Sequence, residues 1–220
     1  MPIAPAIFLE TSPLLLSLMH RRSQGLLILA ILSFCLSGLL SEAQAFRVVI
    51  DAGHGGHDSG ARDGAVYEKH LNLDVSRRLA RYLNRRGIKT VYTRPTNKFV
   101  SLGNRVAKAN RYRDAIFVSI HFNSASNRGA TGIETFFYSP QSELLAHLVQ
   151  TNMIHKTRLV DRGVKHRGFM VIRRTNIPAI LVEGGFLSNR RESRRCSSAA
   201  HRQKLAEAIG HAIIRYRKVR

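Results

Sequence analysis

At 220 residues, with a formal net charge of +21 and 44% hydrophobic residues, the chain is too apolar for a disordered polyelectrolyte. It is also too short for more than one ordinary domain plus an appendage. Its two cysteines exclude a disulfide-rich scaffold, and its basic excess implies an anionic partner whose attraction salt would weaken.

The appendage is at the front. Arg21 and Arg22 precede an apolar run from Gly25 to Leu40, and Ala43-Gln44-Ala45 supplies small residues three and one before a cut. That order describes a secretory signal peptide over residues 1–45, with cleavage after Ala45. Met19 would start a leader of ordinary length. The apolar run is short for a membrane span, so no span is expected after cleavage. Removing the leader takes away Arg21, Arg22, Glu10 and Glu42, so the net charge stays where it was. Cys35 leaves too, and Cys196 is left without a partner.

The remaining residues, 46–220, alternate between two periods. Val48–Ile50 is a β-branched run that stops at Gly53, Gly55 and Gly56, as a buried strand ending in a sharp turn does. Ala61–Val66 is a loop by composition. Leu71, Val75, Leu79, Tyr82 and Leu83 form the stripe of an amphipathic helix, which Gly87 stops. Ile88–Thr93 is a strand, and Leu102–Arg111 is a shorter helix. Ala115–Ile120 and Gly132–Tyr138 are strands, and Gln141–Lys156 is a helix. Phe169–Ile172 and Ile180–Val182 complete a set of six strands, and Leu205–Tyr216 is the last helix. The expectation is a single α/β domain: a mainly parallel, twisted sheet of about six strands with helices on both faces.

Functional groups in open α/β sheets gather at the carboxyl ends of the strands. His54, His121 and Glu183 lie at such ends, and Glu68 opens the helix after the first strand. Singly, each has an ordinary structural explanation. Together, two imidazoles and a carboxylate form a catalytic zinc set with one position left for water. A second carboxylate is then needed to move protons, and Glu183 is the candidate. His57 could compete with His54 as ligand, while Asp51 and Asn123 are expected to orient the ligands.

Asp51–Ala61 (D-A-G-H-G-G-H-D-S-G-A), Glu68–Leu73, Thr93-Arg94, Phe117–Asn123, Gly132–Tyr138 and Pro178–Asn189 follow one another in a fixed order. This series closely resembles the zinc-dependent N-acetylmuramoyl-L-alanine amidases of the type 3 family. The resemblance implies hydrolysis of the amide joining the lactyl group of N-acetylmuramic acid to L-alanine in peptidoglycan. It places the Zn²⁺ ligands on His54, Glu68 and His121, and the catalytic glutamate on Glu183. The leader, for its part, implies an exported protein of the periplasm or cell wall. Anionic wall polymer or lipid headgroups, and not nucleic acid, are then the expected partners of the basic surface. A zinc peptidase cutting within the stem peptide, or a basic wall-binding protein without activity, are the rival readings. Two departures stand out. Asn97 replaces an aspartate common after the T-R pair, and Ser139–Arg167 is too short for the inhibitory helical insertion that some members carry, so an open cleft is expected.

Overall fold

A computed structural model describes residues Phe46–Arg220, so the expected leader and its cut after Ala45 lie outside the described residues. The sheet is built around β1 (Arg47–Ala52), whose residues from Val48 onward are all buried. It pairs in parallel with β4 (Lys89–Tyr92) on one side and β5 (Ala115–Asn123) on the other. β5 pairs in parallel with β8 (Ala179–Phe186). Covered on both faces, these strands need near-continuous apolar sequence, which V-V-I, A-I-F-V and A-I-L-V provide. β6 (Ile133–Phe137) runs antiparallel to β8, and β7 (Asp161–His166) closes the edge in parallel with β6. The order is β4-β1-β5-β8-β6-β7. A separate two-stranded ribbon, β2 (Arg62–Asp63) with β3 (Val66–Tyr67), leads into the first helix.

Alternate side chains of the strands enter two cores. On one face, Val48, Ile50, Val118 and Ile180 meet three long helices: α1 (Glu68–Asn84), α3 (Glu143–Thr157) and α6 (Ala199–Val219). Leu79 and Leu83 of α1 are fully covered, and each such burial contributes about 1.5–3 kcal/mol. Gly87 turns the chain at φ 71° after α1, and the Ile88 N–H returns to the Leu83 carbonyl. On the other face, Val49, Phe117, Ala179 and Leu181 pack under α2 (Leu102–Ala109) and the short α4 (Met170–Arg173). α5 (Arg190–Cys196) joins β8 to α6, capped by the Asn189 side chain on two backbone N–H groups.

Two expectations are corrected here. Phe169–Ile172 is not a strand: Met170–Arg173 is a helical turn, with Val171 and Ile172 buried. The sixth strand is instead Asp161–His166, an edge strand with neighbours on one side only. The Ser139–Arg167 segment thus folds as a 3₁₀ turn, α3 and β7, with α3 on the long-helix face. No helix among the described residues is long and apolar enough to cross a membrane.

Candidate metal centre and catalytic cleft

β1 and β5 deliver their carboxyl ends side by side, and the chain leaves β1 through Gly53. A Cβ on Gly53 would lie 2.2 Å from the Cε1 and Nε2 atoms of His121, so glycine is what lets that ring lie across the end of β1. The next residue, His54, takes a left-handed backbone with φ 59°. Such a conformation is uncommon outside glycine and persists only where its surroundings enforce it.

Two buried arginines provide that enforcement. Arg105 donates to the carbonyls of Ala52 (2.6 Å) and His54 (2.7 Å), and to Asp51 Oδ1 (2.7 Å). Arg94 donates to the carbonyls of Ala52, Gly53, Lys69 and Thr96. Burial, and the charge of Arg105 beside it, bring the Arg94 pKa down to about 10, so it stays charged at neutral pH. Lys69 and Asn97 hold Gly56 by its carbonyl and its N–H respectively. Asn97 therefore has a structural task in this turn.

Glu68 is buried at the start of α1 and makes five hydrogen bonds or close contacts. Its Oε2 receives the Ala61 N–H at 2.8 Å and lies 3.2 Å from His54 Nε2. Its Oε1 receives the Phe122 N–H and the Asn72 amide, and lies 2.9 Å from His121 Nδ1. Burial alone would raise the Glu68 pKa. The two imidazoles outweigh it and hold the carboxylate well below its usual range. One donor atom from each of His54, Glu68 and His121 falls within 4.8 Å of the other two.

The chemistry of this donor set fits a zinc ion. Asp58 Oδ2 lies 2.8 Å from His54 Nδ1 and Glu68 Oε2 lies 3.2 Å from its Nε2, so each ring nitrogen faces a carboxylate, and a proton on Nδ1 alone would leave the Nε2 lone pair toward Glu68. A nitrogen lone pair and a carboxylate facing each other repel unless a proton or cation lies between them. Two imidazoles and a carboxylate are a borderline-soft set of the kind zinc takes. Burial pulls the His54 pKa down, but Glu68 and Asp58 outweigh it and leave it raised.

Glu183 on β8 is in register with His121 on one side and Glu134 on the other. Its Oε2 is fully covered with no hydrogen-bond partner. Burial, then the charges of Glu68 and Glu134, push its pKa well above the ordinary carboxylate value. Glu134 is held by Asn123, Arg162 and Lys165. The structure thus brings His54, Glu68 and His121 together and sets Glu183 in the neighbouring strand.

The supporting residues differ from expectation. His57 turns away and packs on Phe99, with ring centroids 4.2 Å apart. Asp51 touches neither imidazole: it is buried against Arg105, Thr93 and Ser119. Asn123 serves Glu134. The residue that orients His54 is Asp58, four positions on, across the turn that opens with the left-handed backbone of His54. Glu134 had no sequence signal beyond its place in a strand, two residues after a glycine.

The sequence profile of the family described as N-acetylmuramoyl-L-alanine amidase matches residues 48–215. YqiI of Bacillus subtilis (strain 168) is 39% identical over 77% of the chain and 84% of its own length. The same organism's N-acetylmuramoyl-L-alanine amidase LytC is 34% identical over 77% of the chain, a match spanning 35% of LytC. The crystal structure of an N-acetylmuramoyl-L-alanine amidase from Clostridium difficile 630 superposes with a TM-score of 0.78. That match has 35% identity and covers 80% of this chain and 99% of the other.

Proposed function

The chain belongs to the N-acetylmuramoyl-L-alanine amidase family and is a peptidoglycan amidase; from that premise we propose that His54, Glu68 and His121 hold a zinc ion and that Glu183 is its general base. The observation that carries the reading is the convergence of three donor atoms within 4.8 Å, next to a carboxylate with a covered, unpartnered oxygen. When bound, zinc supplies Lewis acidity, acidifying water and polarising an amide carbonyl.

The remaining work falls to the chain's own groups. Asp58 keeps His54 in the tautomer whose Nε2 is free to ligate, and Glu68 stays ionised. Glu183, with its raised pKa, takes a proton from the attacking water and returns it to the departing amine of L-alanine. Burial first, then the charges of Glu68 and Glu134, keep Glu183 basic, while Arg162 and Lys165 hold Glu134 in place. Digestion of purified muropeptides followed by mass spectrometry tests the reading. Intact peptides beginning in L-alanine are expected, and a chelator abolishes their release. Products cut inside the stem would overturn it in favour of a peptidase.

An exported location, a leader ending at Ala45, and a basic surface that docks on anionic wall polymer or lipid headgroups belong to the same proposal. The net charge of +21 and the likeness to the N-acetylmuramoyl-L-alanine amidase LytC support it. α3 lies on the face away from the cleft, which supports activity without a displaceable plug.

A further inference from the structure

Away from the cleft, two hollows of about 290 and 450 Å³ follow one another along α6 and share Arg86 and His211 in their walls. Glu207, His211, Ile214 and Lys218 recur on α6 at steps of four, three and four residues, so one face of the helix forms the bed of a single trough. At 1.5 Å per residue that bed is about 16 Å long. His155 and Lys156, in the last turn of α3, flank one end, and Ile88 flanks the other. The trough is cationic: Arg86, Lys156, Arg217 and Lys218 line it with a single carboxylate, Glu207. That carboxylate is already paired with Lys156 at 3.4 Å and feels Arg86 at longer range. Arg86 lies over the Tyr82 ring at 3.7 Å and Arg217 over Phe46 at 5.7 Å, contacts that position a guanidinium without neutralising it. Among the described residues, Arg86, Arg217 and Lys218 take part in no salt bridge. Their charge is left for a partner.

We infer that this trough binds a linear phosphodiester polymer laid along α6, with its phosphates on Lys156, Arg86, Arg217 and Lys218. The inference rests on the wall-docking reading given above and chooses between the two partners named there. A bilayer is flat on this scale and meets outward faces, whereas a chain can lie down in a hollow. The carbon links of such a chain rest on Ile88 and Ile214 while its phosphates reach the cations. Nucleic acid is a poorer fit, because it needs an open ring on which to stack its bases. The phenol ring in the trough, Tyr82, is covered by Arg86, with His211 at its edge and Gly210 packed against it. The trough is also remote from the reaction. Glu68 opens α1 in the metal centre, and Arg86 lies just past the far end of that helix, about 27 Å on at 1.5 Å per residue. A bound polymer therefore tethers the enzyme and leaves the cleft open.

The test follows binding of fluorescently labelled poly(glycerol phosphate) to the purified protein by anisotropy. Replacing Arg86, Arg217 and Lys218 together by Gln should weaken binding about tenfold at 0.1 M salt and lower the slope of log Kd against log salt by about 2–3. A control variant loses the same charge from α5, at the other end of α6, through Arg190→Gln, Arg191→Gln and Arg194→Gln. Its affinity should stay near that of wild type. Hydrolysis of soluble muropeptides should be unchanged in the trough variant, which shows that it is folded. Lys218→Gln alone, at an exposed position, should keep that activity and still weaken binding about twofold. Equal weakening by both triple variants would overturn the trough in favour of diffuse attraction, and the wall-docking reading would stand. Tighter binding to phosphatidylglycerol vesicles or to single-stranded DNA, lost in the trough variant, would give the site to lipid or nucleic acid instead. A wild type that binds neither the polymer nor purified wall material would end the inference and the wall-docking reading together.

Discussion

Gly53 and His121 occupy one space: the backbone of the first passes directly beneath the imidazole of the second, with no room for a methyl group between them. The ring's position thus depends on an atom that Gly53 lacks. Gly53→Ala must push the imidazole off its contact with Glu68. Zinc affinity, measured by competition with a chromophoric chelator, should fall about 10–100-fold, the usual cost of misaiming a ligand. A variant that binds zinc as tightly as wild type would show that the ring has other room.

Glu183→Gln keeps the shape of the side chain and removes its basicity. Hydrolysis of muropeptides should fall about 10²–10⁴-fold, as loss of a general base does. Zinc content, read by elemental analysis, should stay near one per chain. Loss of metal together with activity would move Glu183 from proton transfer to metal binding.

Arg105→Met removes the cation that faces Asp51 and the donors on the Ala52 and His54 carbonyls. The buried carboxylate would then lack its charge partner, and about 3–5 kcal/mol of stability should be lost in urea denaturation. The double variant Arg105→Met with Asp51→Leu should recover part of that loss.

His201, buried at the start of α6, gives a pH signature. Burial first, then Arg195, Lys204 and Arg202, bring its pKa from 6.5 down to about 4, against a hydrogen bond to the Gly184 backbone. Between those values the unfolded chain binds a proton that the folded chain refuses. Stability should therefore fall as pH drops through 6.5, with the loss complete below about 4 and amounting to about 3 kcal/mol. In His201→Gln the decline of the denaturation midpoint with acid should be shallower by that amount.

Binding to purified wall material should weaken steeply with added salt, since the attraction of exposed charges is cut off at about 8 Å at 0.15 M. Sedimentation across a salt series measures it. Retention unchanged at 1 M salt would place the affinity elsewhere than in the basic surface.

Much of this architecture was legible in the residue order. Apolar runs such as Ala115–Val118 announce a central strand, and the stripe from Leu71 to Leu83 announces α1. The four acid and histidine side chains at strand and helix ends were visible for the same reason. Phe169–Ile172 was misread because four apolar residues are too few to distinguish a period of 2 from one of 3.6. Asp161–His166 escaped because an edge strand with mostly exposed side chains needs no apolar alternation. Asp58 could not be matched to His54, nor Arg105 to Asp51, without the left-handed turn and the 54-residue separation that the fold closes.

Cys196 closes off one further dependence. Its thiol is buried between α5 and β8, with a pKa pushed up to about 12 by burial and then by Glu192. Held protonated and shielded, it neither reacts readily with oxidants nor pairs with a neighbouring copy. Once residues 46–220 are folded, their one thiol is therefore out of reach of redox surroundings, reducing or oxidising alike.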